Sequence, residues 1–280
     1  MTDPTFLERY GAWAVIAGAS DGVGASYARA MGERGLNVVL IARRRALLDE
    51  LADEIATTSN VDVRAVVIDL ATPDAADRVI EATEGLEVGM LMYNAGADPF
   101  AQPFLTYDVE PQLAMIHRNC VVPTRLCHHF GAEMKERGRG GIVLVTSGAA
   151  IVGMTGMATY GGSKAYDLVF AEALWAELHG AGVDVLAPIL GATDTPALRR
   201  MMVKWGLWES EDDDSPLPDA VTAEWVANGI IANLDAGPSW YAGDASRTGG
   251  EGLRSLPRND AVRAALAHTS AYSDSSQASS

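Results

Sequence analysis

The sequence predicts an α/β fold in which a doubly wound parallel sheet of about seven strands carries helices on both faces. Short runs that are apolar throughout alternate with longer segments of helical periodicity. Strands buried on both faces of a sheet have this uninterrupted apolar character. The alternation continues to about residue 190, and a glycine-rich turn follows the first apolar run. Right-handed crossovers between such strands produce the doubly wound arrangement.

The predicted elements follow one another in a regular order. The predicted strands are 13–18, 37–42, 63–68, 88–93, 141–146, 183–189 and 239–242. The predicted helices are 22–34, 43–57, 73–83, 108–137, 158–179 and 222–234. Gly35 ends the first helix, and Pro73 opens the third in its first turn. We therefore expect a single domain over residues 1–270.

Two segments depart from this alternation. The segment 196–218 carries two methionines and two tryptophans and then the acidic run 209–214. A long insert after a sheet strand is often a functional lid, so we expect this one to cover a substrate. The alternative is that this segment is an exposed surface loop. For the acidic run alone we prefer that interpretation. The serine-rich segment 271–280 has no apolar pattern, which predicts a disordered tail.

Composition and charge exclude several classes of protein. The 280 residues are 48% hydrophobic, enough for a sizeable core, and 37 acidic side chains against 21 Lys and Arg leave a formal charge of −16. This acidity argues against a nucleic-acid partner. No apolar run is long enough to span a membrane. The polar N-terminus does not resemble a signal peptide, so we expect a cytoplasmic protein.

The sequence also offers no pattern of metal ligands or disulfides. Cys120 and Cys127 lie seven residues apart on a predicted helix, too far apart to bond within it. We interpret them as small buried hydrophobic residues. His117, His128 and His129 have no partner at metal-ligand spacing, so we expect no metal.

A glycine-rich turn links the first predicted strand to the first helix. Gly18 permits the tight turn, Gly22 lets backbone N–H groups approach a pyrophosphate, and Gly24 allows the helix to pack close to the strand. The helix N-terminus adds partial positive charge beside the phosphates. This context favours a Rossmann-type dinucleotide site over a purely structural turn. The residues expected to line the cofactor here are Gly18, Ser20, Asp21, Gly22, Val23 and Gly24.

The end of the second strand indicates which cofactor is bound. Sites for NAD usually place an acid there for the ribose 2′-hydroxyl, but this strand ends in Arg43 and Arg44. An arginine fork can instead clamp a 2′-phosphate, so we favour NADPH or NADP over NAD. Asp21 argues mildly against this, because an acid near a 2′-phosphate would repel it. The alternative is that both arginines cap the strand end or pair with surface acids such as Asp49.

Three further residues are candidates for the chemistry. Tyr160 and Lys164 lie four residues apart near the start of a predicted helix, so they share one helical face. Ser147 follows a strand at its carboxyl end, where α/β sheets bind ligands. All three are therefore expected to line one crevice.

Motifs of this kind recur along the chain in a fixed order. They are Gly18-x-x-x-Gly22-x-Gly24, Asp69, Asn94-Ala95-Gly96, Asn119, Ser147 and Tyr160-x-x-x-Lys164. Over about residues 10–240 this set resembles the short-chain dehydrogenase/reductase family, and its glycine spacing is similar to the single-domain branch. The run around 18–44 looks most like enzymes that reduce 3-oxoacyl thioesters and 17-keto steroids, which tend to use NADPH. Singly, each residue has an ordinary structural explanation, such as a surface Tyr or a strand-end hydroxyl.

The resemblance implies a role for each chemical residue. Tyr160 would be the general acid that protonates a carbonyl oxygen as hydride arrives from the nicotinamide. A cationic Lys164 would favour the phenolate and bond the nicotinamide ribose. Ser147 would orient and polarise the substrate oxygen. Asn119 would hold a water that relays protons to Lys164.

The resemblance also extends the cofactor site beyond the glycine turn. Asp69, with Leu70 beside it, would contact the adenine. Asn94, Ala95 and Gly96 would line the cofactor after the fourth strand. The family often has a second Asn directly before this motif, whereas this chain has Tyr93, whose ring would alter the packing there.

The segment after the sixth strand departs from the family pattern. The family places Pro-Gly there, followed by a Thr that contacts the cofactor carboxamide. In one register Gly191 and Thr195 fit this pattern, and in another Pro188 and Thr193 fit it. Both registers remain open, and all of Gly191, Thr193 and Thr195 are candidate cofactor contacts.

The expected substrate pocket is apolar. It would be formed by residues 98–105, 149–157 and 196–208, which are rich in Ala, Ile, Val, Met and Trp. This predicts a hydrophobic ketone or secondary alcohol, such as a steroid or acyl chain, although the same residues could form core or an oligomer contact. A catalytically silent NADP(H)-binding sensor is the alternative function. The family resemblance also implies a homodimer or homotetramer.

Overall fold

A parallel sheet forms the centre of the molecule. The computed structural model describes residues 4–97, 102–213, 215–217 and 219–277, with side chains as far as residue 267. The strands are β1 (Trp13–Ala17), β2 (Asn37–Ala42), β3 (Val63–Val67), β4 (Val88–Tyr93), β5 (Gly140–Leu144), β6 (Thr146–Ser147), β7 (Val183–Leu190), β8 (Thr193–Asp194), β9 (Val221–Thr222) and β10 (Ser239–Ala242).

The strand order is that of a doubly wound sheet. It runs β3-β2-β1-β4-β5-β7-β10, and the short strand β6 pairs with β7 just beyond the end of β5. Every neighbouring pair in this sheet is parallel. Strands β8 and β9 form a separate small sheet. The predicted fold class is confirmed.

Helices cover both faces of the sheet. They are α1 (Pro4–Tyr10), α2 (Gly22–Glu33), α3 (Arg45–Ser59), α4 (Ala75–Ala82), α5 (Val109–Ile116), α6 (Val122–Arg137), α7 (Ala158–Leu178), α8 (Pro196–Lys204), α9 (Ala223–Ala232), α10 (Asp244–Ser255) and α11 (Arg258–Gln277). Among the described residues, no helix is long and apolar enough to cross a membrane.

The uninterrupted apolar runs follow from burial on both faces. In β1, Val15 packs into a core formed with α4, α6 and α7, whereas Ala14 and Ile16 pack into a core formed with α2, α3 and α9. Successive side chains of a strand point to opposite faces, so each one must be apolar when both faces are covered. The sheet is therefore held between two separate hydrophobic cores.

The strand order reverses between β1 and β4, and this reversal opens a crevice at the carboxyl ends of the strands. Ligands bind at such a switch point in open α/β sheets. Gly18 follows β1 directly, Asn94 follows β4, and Ser147 ends β6. The topology thus brings three widely separated sequence positions to one edge of the sheet.

The long helix predicted over 108–137 is interrupted. Its two parts, α5 and α6, are joined by a π-helical turn at His117–Val121. A π-turn inserts one extra residue into a helix and displaces its apolar pattern by a single position, which the spacing of apolar residues over this long segment did not reveal. Cys120 lies in this turn and Cys127 in α6, and both thiols are free.

The segments outside the regular alternation contain helices that the sequence pattern did not predict. Helix α8 lies at the start of the 196–218 insert, and Thr195 caps it through a hydrogen bond from Leu198 N. Helices α10 and α11 follow β10, and the backbone helix of α11 passes through residues 271–277, where the sequence predicts a disordered tail. The division into a domain and a tail stays a prediction.

Candidate active site

The glycine turn after β1 has the close packing that its sequence predicts. Gly18 and Gly22 have φ values of +87° and +56°, conformations that favour glycine. A Cβ on Gly24 would lie 2.1 Å from the Gly18 carbonyl oxygen. A Cβ on Gly18 would lie 2.8 Å from the Ala95 amide nitrogen. The turn therefore forms a backbone cradle at the N-terminus of α2, which suits a pyrophosphate.

Polar side chains surround the end of β2. Arg44 Nη2 donates to Ser20 Oγ at 2.7 Å and to Asp21 Oδ2 at 2.5 Å. Arg200, on α8, also lies 3.5 Å from Asp21 Oδ2. Arg43 is exposed and has no ion-pair partner among the described residues. Asp21 is thus engaged by cations on both sides, which reduces the repulsion that a bound 2′-phosphate would feel.

Asp69 forms a turn after β3. Its Oδ1 accepts from Ala71 N at 3.0 Å, and its carbonyl oxygen accepts from Thr72 N and Thr72 Oγ1. Leu70 is buried. The carboxylate of Asp69 is therefore held by the local backbone, and an adenine contact for this pair stays a prediction.

The Asn94-Ala95-Gly96 segment joins the glycine turn to the rest of the crevice. Asn94 Nδ2 donates to the Gly18 carbonyl oxygen at 3.1 Å, and the Asn94 and Ala95 amides donate to Ala17 O. Gly96 has φ +153°, and a Cβ there would lie 2.8 Å from Lys164 Nζ. This segment therefore lies between the phosphate cradle and the candidate catalytic lysine.

Tyr93 accounts for the departure from the family pattern before this segment. The side chain is buried, and its hydroxyl donates to the Arg118 carbonyl oxygen at 2.5 Å. Burial raises the pKa of Tyr93 well above its ordinary value. The neutral hydroxyl thus ties β4 to the π-turn that carries Asn119.

Asn119 is fully buried in the π-turn. Its Nδ2 donates to Ser163 Oγ at 2.8 Å and to Gly96 O at 3.4 Å, and Arg118 Nε donates to its Oδ1 at 3.0 Å. π-turns occur frequently at functional sites because they redirect side chains. Here the turn brings Asn119 against Gly96 and α7.

Lys164 lies on α7, one helical turn after the half-buried Tyr160. The Lys164 side chain is buried, and its Nζ donates to Val145 O at 2.8 Å and to Asp167 Oδ2 at 3.0 Å. The helix is fixed to the strand end because Thr146 Oγ1 donates to Lys164 O at 2.7 Å. The ammonium is therefore held at the carboxyl end of the sheet.

Ser147 ends β6 at the same edge of the sheet. Its Oγ accepts a hydrogen bond from Ala149 N at 3.2 Å, which orients the hydroxyl. The next segment packs tightly on α7, because a Cβ on Gly161 would lie 3.0 Å from Ala149 O. Ser147 is thus placed on the segment that faces the start of α7.

The two candidate threonines after β7 have different surroundings. Thr193 is buried in β8, and its Oγ1 donates to the carbonyl oxygen of Gly191, which is exposed. Thr195 caps α8, and its Cγ2 would be 2.8 Å from a Cβ on Gly22. Thr195 therefore lies against the phosphate cradle, which favours the register in which Gly191 and Thr195 face the cofactor.

The insert is docked beside this cradle through charged side chains. Arg199 donates to both carboxylate oxygens of Asp194 at 2.7 Å and to the carbonyl oxygens of Asp213 and Ser215. Residues 98–101 and Asp214, which belong to the expected pocket and acidic run, lie outside the described residues. The arginine thus links α8 to the chain that follows it.

Part of the expected apolar pocket is core. Val152 is buried and packs against Ala261 and Ala265 of α11, and Arg258 donates to Ile151 O at 2.5 Å. The C-terminal helices therefore support the segment that follows Ser147. Sequence periodicity did not predict this contact, because α10 and α11 are rich in Gly, Ser and charged residues.

Sequence reasoning missed two residues at the site. Ser163 accepts from Asn119 and donates to Tyr160 O at 2.8 Å, and Asp167 is the ion-pair partner of Lys164. The signal for Asp167 was an acid three residues after Lys164 on one helix. Among the described residues, no cluster of three or more His, Cys, Asp or Glu side chains is arranged to hold a metal ion.

Comparison with known proteins gives matches over most of the chain. A family model described as short chain dehydrogenase matches residues 12–204. A 7β-hydroxysteroid dehydrogenase of Clostridium sardiniense is 30% identical over 257 residues, which is 92% of this chain and 95% of the relative. The matched region contains every residue assigned above from Gly18 to Thr195.

Two solved structures share the fold. One, reported in work on 7β-hydroxysteroid dehydrogenase stereoselectivity, has a TM-score of 0.84 at 30% identity and covers 93% of this chain and 98% of its own. The other, a short-chain dehydrogenase from Sphingobium yanoikuyae in complex with NADPH, has a TM-score of 0.70 at 29% identity. It covers 88% of this chain and 96% of the other chain.

Proposed function

Since this chain belongs to the short-chain dehydrogenase family and is an NAD(P)-dependent oxidoreductase, we propose that it uses NADP(H) to interconvert a hydrophobic ketone and a secondary alcohol. Tyr160 is the general acid in reduction and the general base in oxidation. Asn119, Ser147 and Lys164 complete the catalytic set. The observation that carries the proposal is the convergence of Lys164, Asn119 and Gly96 at the sheet's carboxyl edge.

The residues at this edge fit a nicotinamide dinucleotide. A side chain at Gly18, Gly22 or Gly24 would collide with Ala95, Thr195 or the Gly18 carbonyl and would distort the cradle where a pyrophosphate would lie. An ammonium has three N–H donors, and two of those on Lys164 bond Val145 O and Asp167. One donor remains for the ribose of the cofactor. Asn94 to Gly96, Gly191 and Thr195 would line the nicotinamide half.

The chain's own residues would handle the proton while the bound cofactor supplies or accepts the hydride. The Tyr160 phenol donates its proton to the carbonyl oxygen, and Ser147 donates a hydrogen bond to the same oxygen. The Lys164 cation stabilises the phenolate left on Tyr160. Asn119 positions the next proton donor in line with Lys164.

The preference for NADP(H) is supported by the arginines at the end of β2. Arg43 is exposed and Arg44 lies against Ser20 at the entrance of the cradle. Guanidinium groups recognise phosphate with paired hydrogen bonds. A related structure was solved with NADPH. Asp21 would then hold Arg44 and Arg200 beside the cofactor and leave Arg43 for the 2′-phosphate.

A fused-ring ketone of the hydroxysteroid type is the substrate class that we favour. The chain is similar over nearly its whole length to a 7β-hydroxysteroid dehydrogenase. Met201 and Met202 on α8 are half-buried, and flexible methionines adapt to large apolar surfaces. The substrate would bind between α8 and the segment after Ser147.

A substrate screen tests the proposal. Purified protein is mixed with NADPH or NADH and a panel of steroid, cyclic and acyl ketones, and nicotinamide absorbance is followed; the matching alcohols are tested with NADP and NAD. We expect turnover of hydroxysteroid-type ketones with NADPH. Tight NADPH binding without turnover on the whole panel would contradict the proposal.

A further inference from the structure

A buried acid lies next to the candidate catalytic lysine. Asp167 Oδ2 is 3.0 Å from Lys164 Nζ, and the side chains of Lys164 and Asp167 are only 4% and 3% exposed. The reaction as assigned above gives this carboxylate no role. Acidic side chains are seldom this deeply buried, so its position requires a physical explanation.

Stability alone does not explain the pair. Desolvation of two buried charges offsets most of their attraction, so a buried ion pair contributes little net stability. The large majority of buried side-chain polar atoms have at least one hydrogen-bond partner. Asp167 Oδ1, however, has no hydrogen-bond partner among the described residues, and the contact recorded for this carboxylate is with Lys164.

The contact fixes the position of the ammonium. Lys164 Nζ donates to Val145 O on one side and to Asp167 on the other. These two acceptors hold Nζ where a Cβ on Gly96 would be 2.8 Å away. A lysine side chain has four rotatable bonds, and such anchoring removes most of their freedom. Asp167 therefore contributes to the placement of the donor that faces the cofactor.

The carboxylate is also the negative charge closest to this ammonium in the described part of the site. Around the pair lie Tyr93 of β4, Cys120 of the π-turn and Cys127 of α6. Burial, with a contribution from Asp167, raises the pKa of Tyr93 and of both thiols, that of Cys120 to about 11. These groups are neutral at neutral pH. Arg118 is the other cation nearby, and it bonds Asn119.

The ionisation of Asp167 is balanced by its partner. Burial raises the pKa of Asp167, and the adjacent Lys164 ammonium lowers it. The pKa of Asp167 lies above its ordinary value because burial outweighs this attraction, while the lysine favours the charged form of the carboxylate. The carboxylate in turn compensates the lysine.

We propose that Asp167 is a positioning residue for the reaction assigned above: its carboxylate fixes the Lys164 ammonium beside Gly96 and offsets part of the Lys164 charge at Tyr160. This inference rests on the proposed function of Tyr160. An uncompensated Lys164 would favour the Tyr160 phenolate. Asp167 therefore weakens the positive field that Lys164 exerts on the Tyr160 phenol, the proposed proton donor for ketone reduction.

The charge effect is tested with Asp167→Asn, which keeps the shape and removes the charge. Residues 160 and 167 lie about 10 Å apart along the helix, and at an effective dielectric constant of about 20 one charge at that distance shifts a titration by about one pH unit. We expect the Tyr160 ionisation midpoint to fall by about that amount. The midpoint is obtained from the pH dependence of tyrosinate absorbance, after subtraction of the absorbance of the same protein carrying Tyr160→Phe. This measurement requires no turnover.

The positioning effect is tested with Asp167→Glu, which keeps the charge but moves the carboxylate. We expect the Tyr160 midpoint to stay near that of the wild type while kcat for ketone reduction falls about tenfold, with KM for the ketone unchanged. An unchanged kcat would overturn the positioning role. This variant also decides the question if Asp167→Asn does not fold.

Asp184→Asn is the matched control. Asp184 lies at the opposite end of the sheet, where its partly buried carboxylate accepts from Tyr10 and pairs with Arg9. This variant should lose thermal stability without any shift of the Tyr160 midpoint. An unshifted midpoint in Asp167→Asn would overturn the charge effect. A shifted midpoint in Asp167→Asn, combined with a wild-type protein that reduces no ketone, would instead contradict the proposed function.

Discussion

At the scale of single residues, the site consists of polar side chains that the protein itself holds in place. Asn119 makes hydrogen bonds to Ser163, Gly96 and Arg118, and Lys164 is anchored on two sides. Such preorganisation lowers the cost of placing the proton donor when a substrate binds. Tyr160 is the half-buried member of the set, as expected for the group that would meet the substrate.

Replacing Tyr160 with Phe should separate binding from catalysis. The ring keeps its packing, but the proton donor is lost, so we expect kcat to fall by about 10³-fold. NADPH affinity, measured by quenching of the tryptophan fluorescence, should change little. Tyr166→Phe on the same helix, whose hydroxyl bonds Thr124, is the control. Near-normal turnover by Tyr160→Phe would contradict the assigned mechanism.

Arg43 should discriminate between the two cofactors. In Arg43→Asp a 2′-phosphate would meet a carboxylate instead of a guanidinium, so we expect NADPH affinity to fall about 100-fold and NADH affinity to change far less. Arg45→Asp, at an exposed position that pairs with Asp49, is the matched control. Equal losses for the two cofactors would show that Arg43 does not clamp the phosphate.

At the scale of elements, the sequence predicted the sheet more accurately than the segments around it. Strands β2, β4 and β10 have the predicted bounds, because strands buried on both faces are marked by apolar runs. Helix α8 and the two C-terminal helices were missed, since their sequences mix charges, Gly and Ser and bury few side chains. The tertiary contacts that hold these helices leave little periodicity to detect.

The residues of the candidate site also differ in whether the sequence alone could predict them. Residues that approach backbone closely, such as Gly18 and Gly24, were evident from the chain because only glycine fits there. The roles of Tyr93 and Asp167 depend on which distant groups they meet, namely the Arg118 carbonyl and the Lys164 ammonium. Such pairings come from the fold, so local patterns could not specify them.

Arg199 should control the order of the insert. In Arg199→Ala the bidentate pair with Asp194 and the hydrogen bonds to the Asp213 and Ser215 carbonyls are lost. We expect proteolytic cleavage within residues 205–217 to become several-fold faster and KM for hydrophobic ketones to rise by about tenfold. Arg247→Ala, which removes an exposed pair with Asp244, is the control. Unchanged proteolysis and KM would show that the insert does not depend on this contact.

At the scale of the whole molecule, an apolar surface and a strongly acidic charge act together. Exposed apolar side chains are concentrated on the packed helices α5 and α7: Val109, Leu113, Ile116, Tyr166 and Val169. Apolar patches of this kind mark protein contacts. The net charge of −16 opposes nonspecific association. We therefore propose that this face joins copies of the chain in a homodimer or homotetramer.

A charge placed on that face should separate the subunits. Val169 is 63% exposed on α7. In Val169→Glu two like charges would be buried in a self-complementary contact, which costs several kcal/mol, so we expect a smaller species by light scattering. Leu266→Glu, at a 43% exposed position of α11, is the control. A monomeric wild-type protein would contradict the proposed assembly.

The π-turn at His117–Val121 has a consequence for how this fold tolerates change. The turn contains one residue more than a regular helical turn, and this extra residue allows the Asn119 side chain to reach Gly96. Removing a single residue from the turn would restore a regular helix with α5 and α6 in their present orientation, but the extra residue that brings Asn119 against Gly96 would be lost. A one-residue deletion in the turn would therefore remove this arrangement without replacing any of the candidate catalytic side chains.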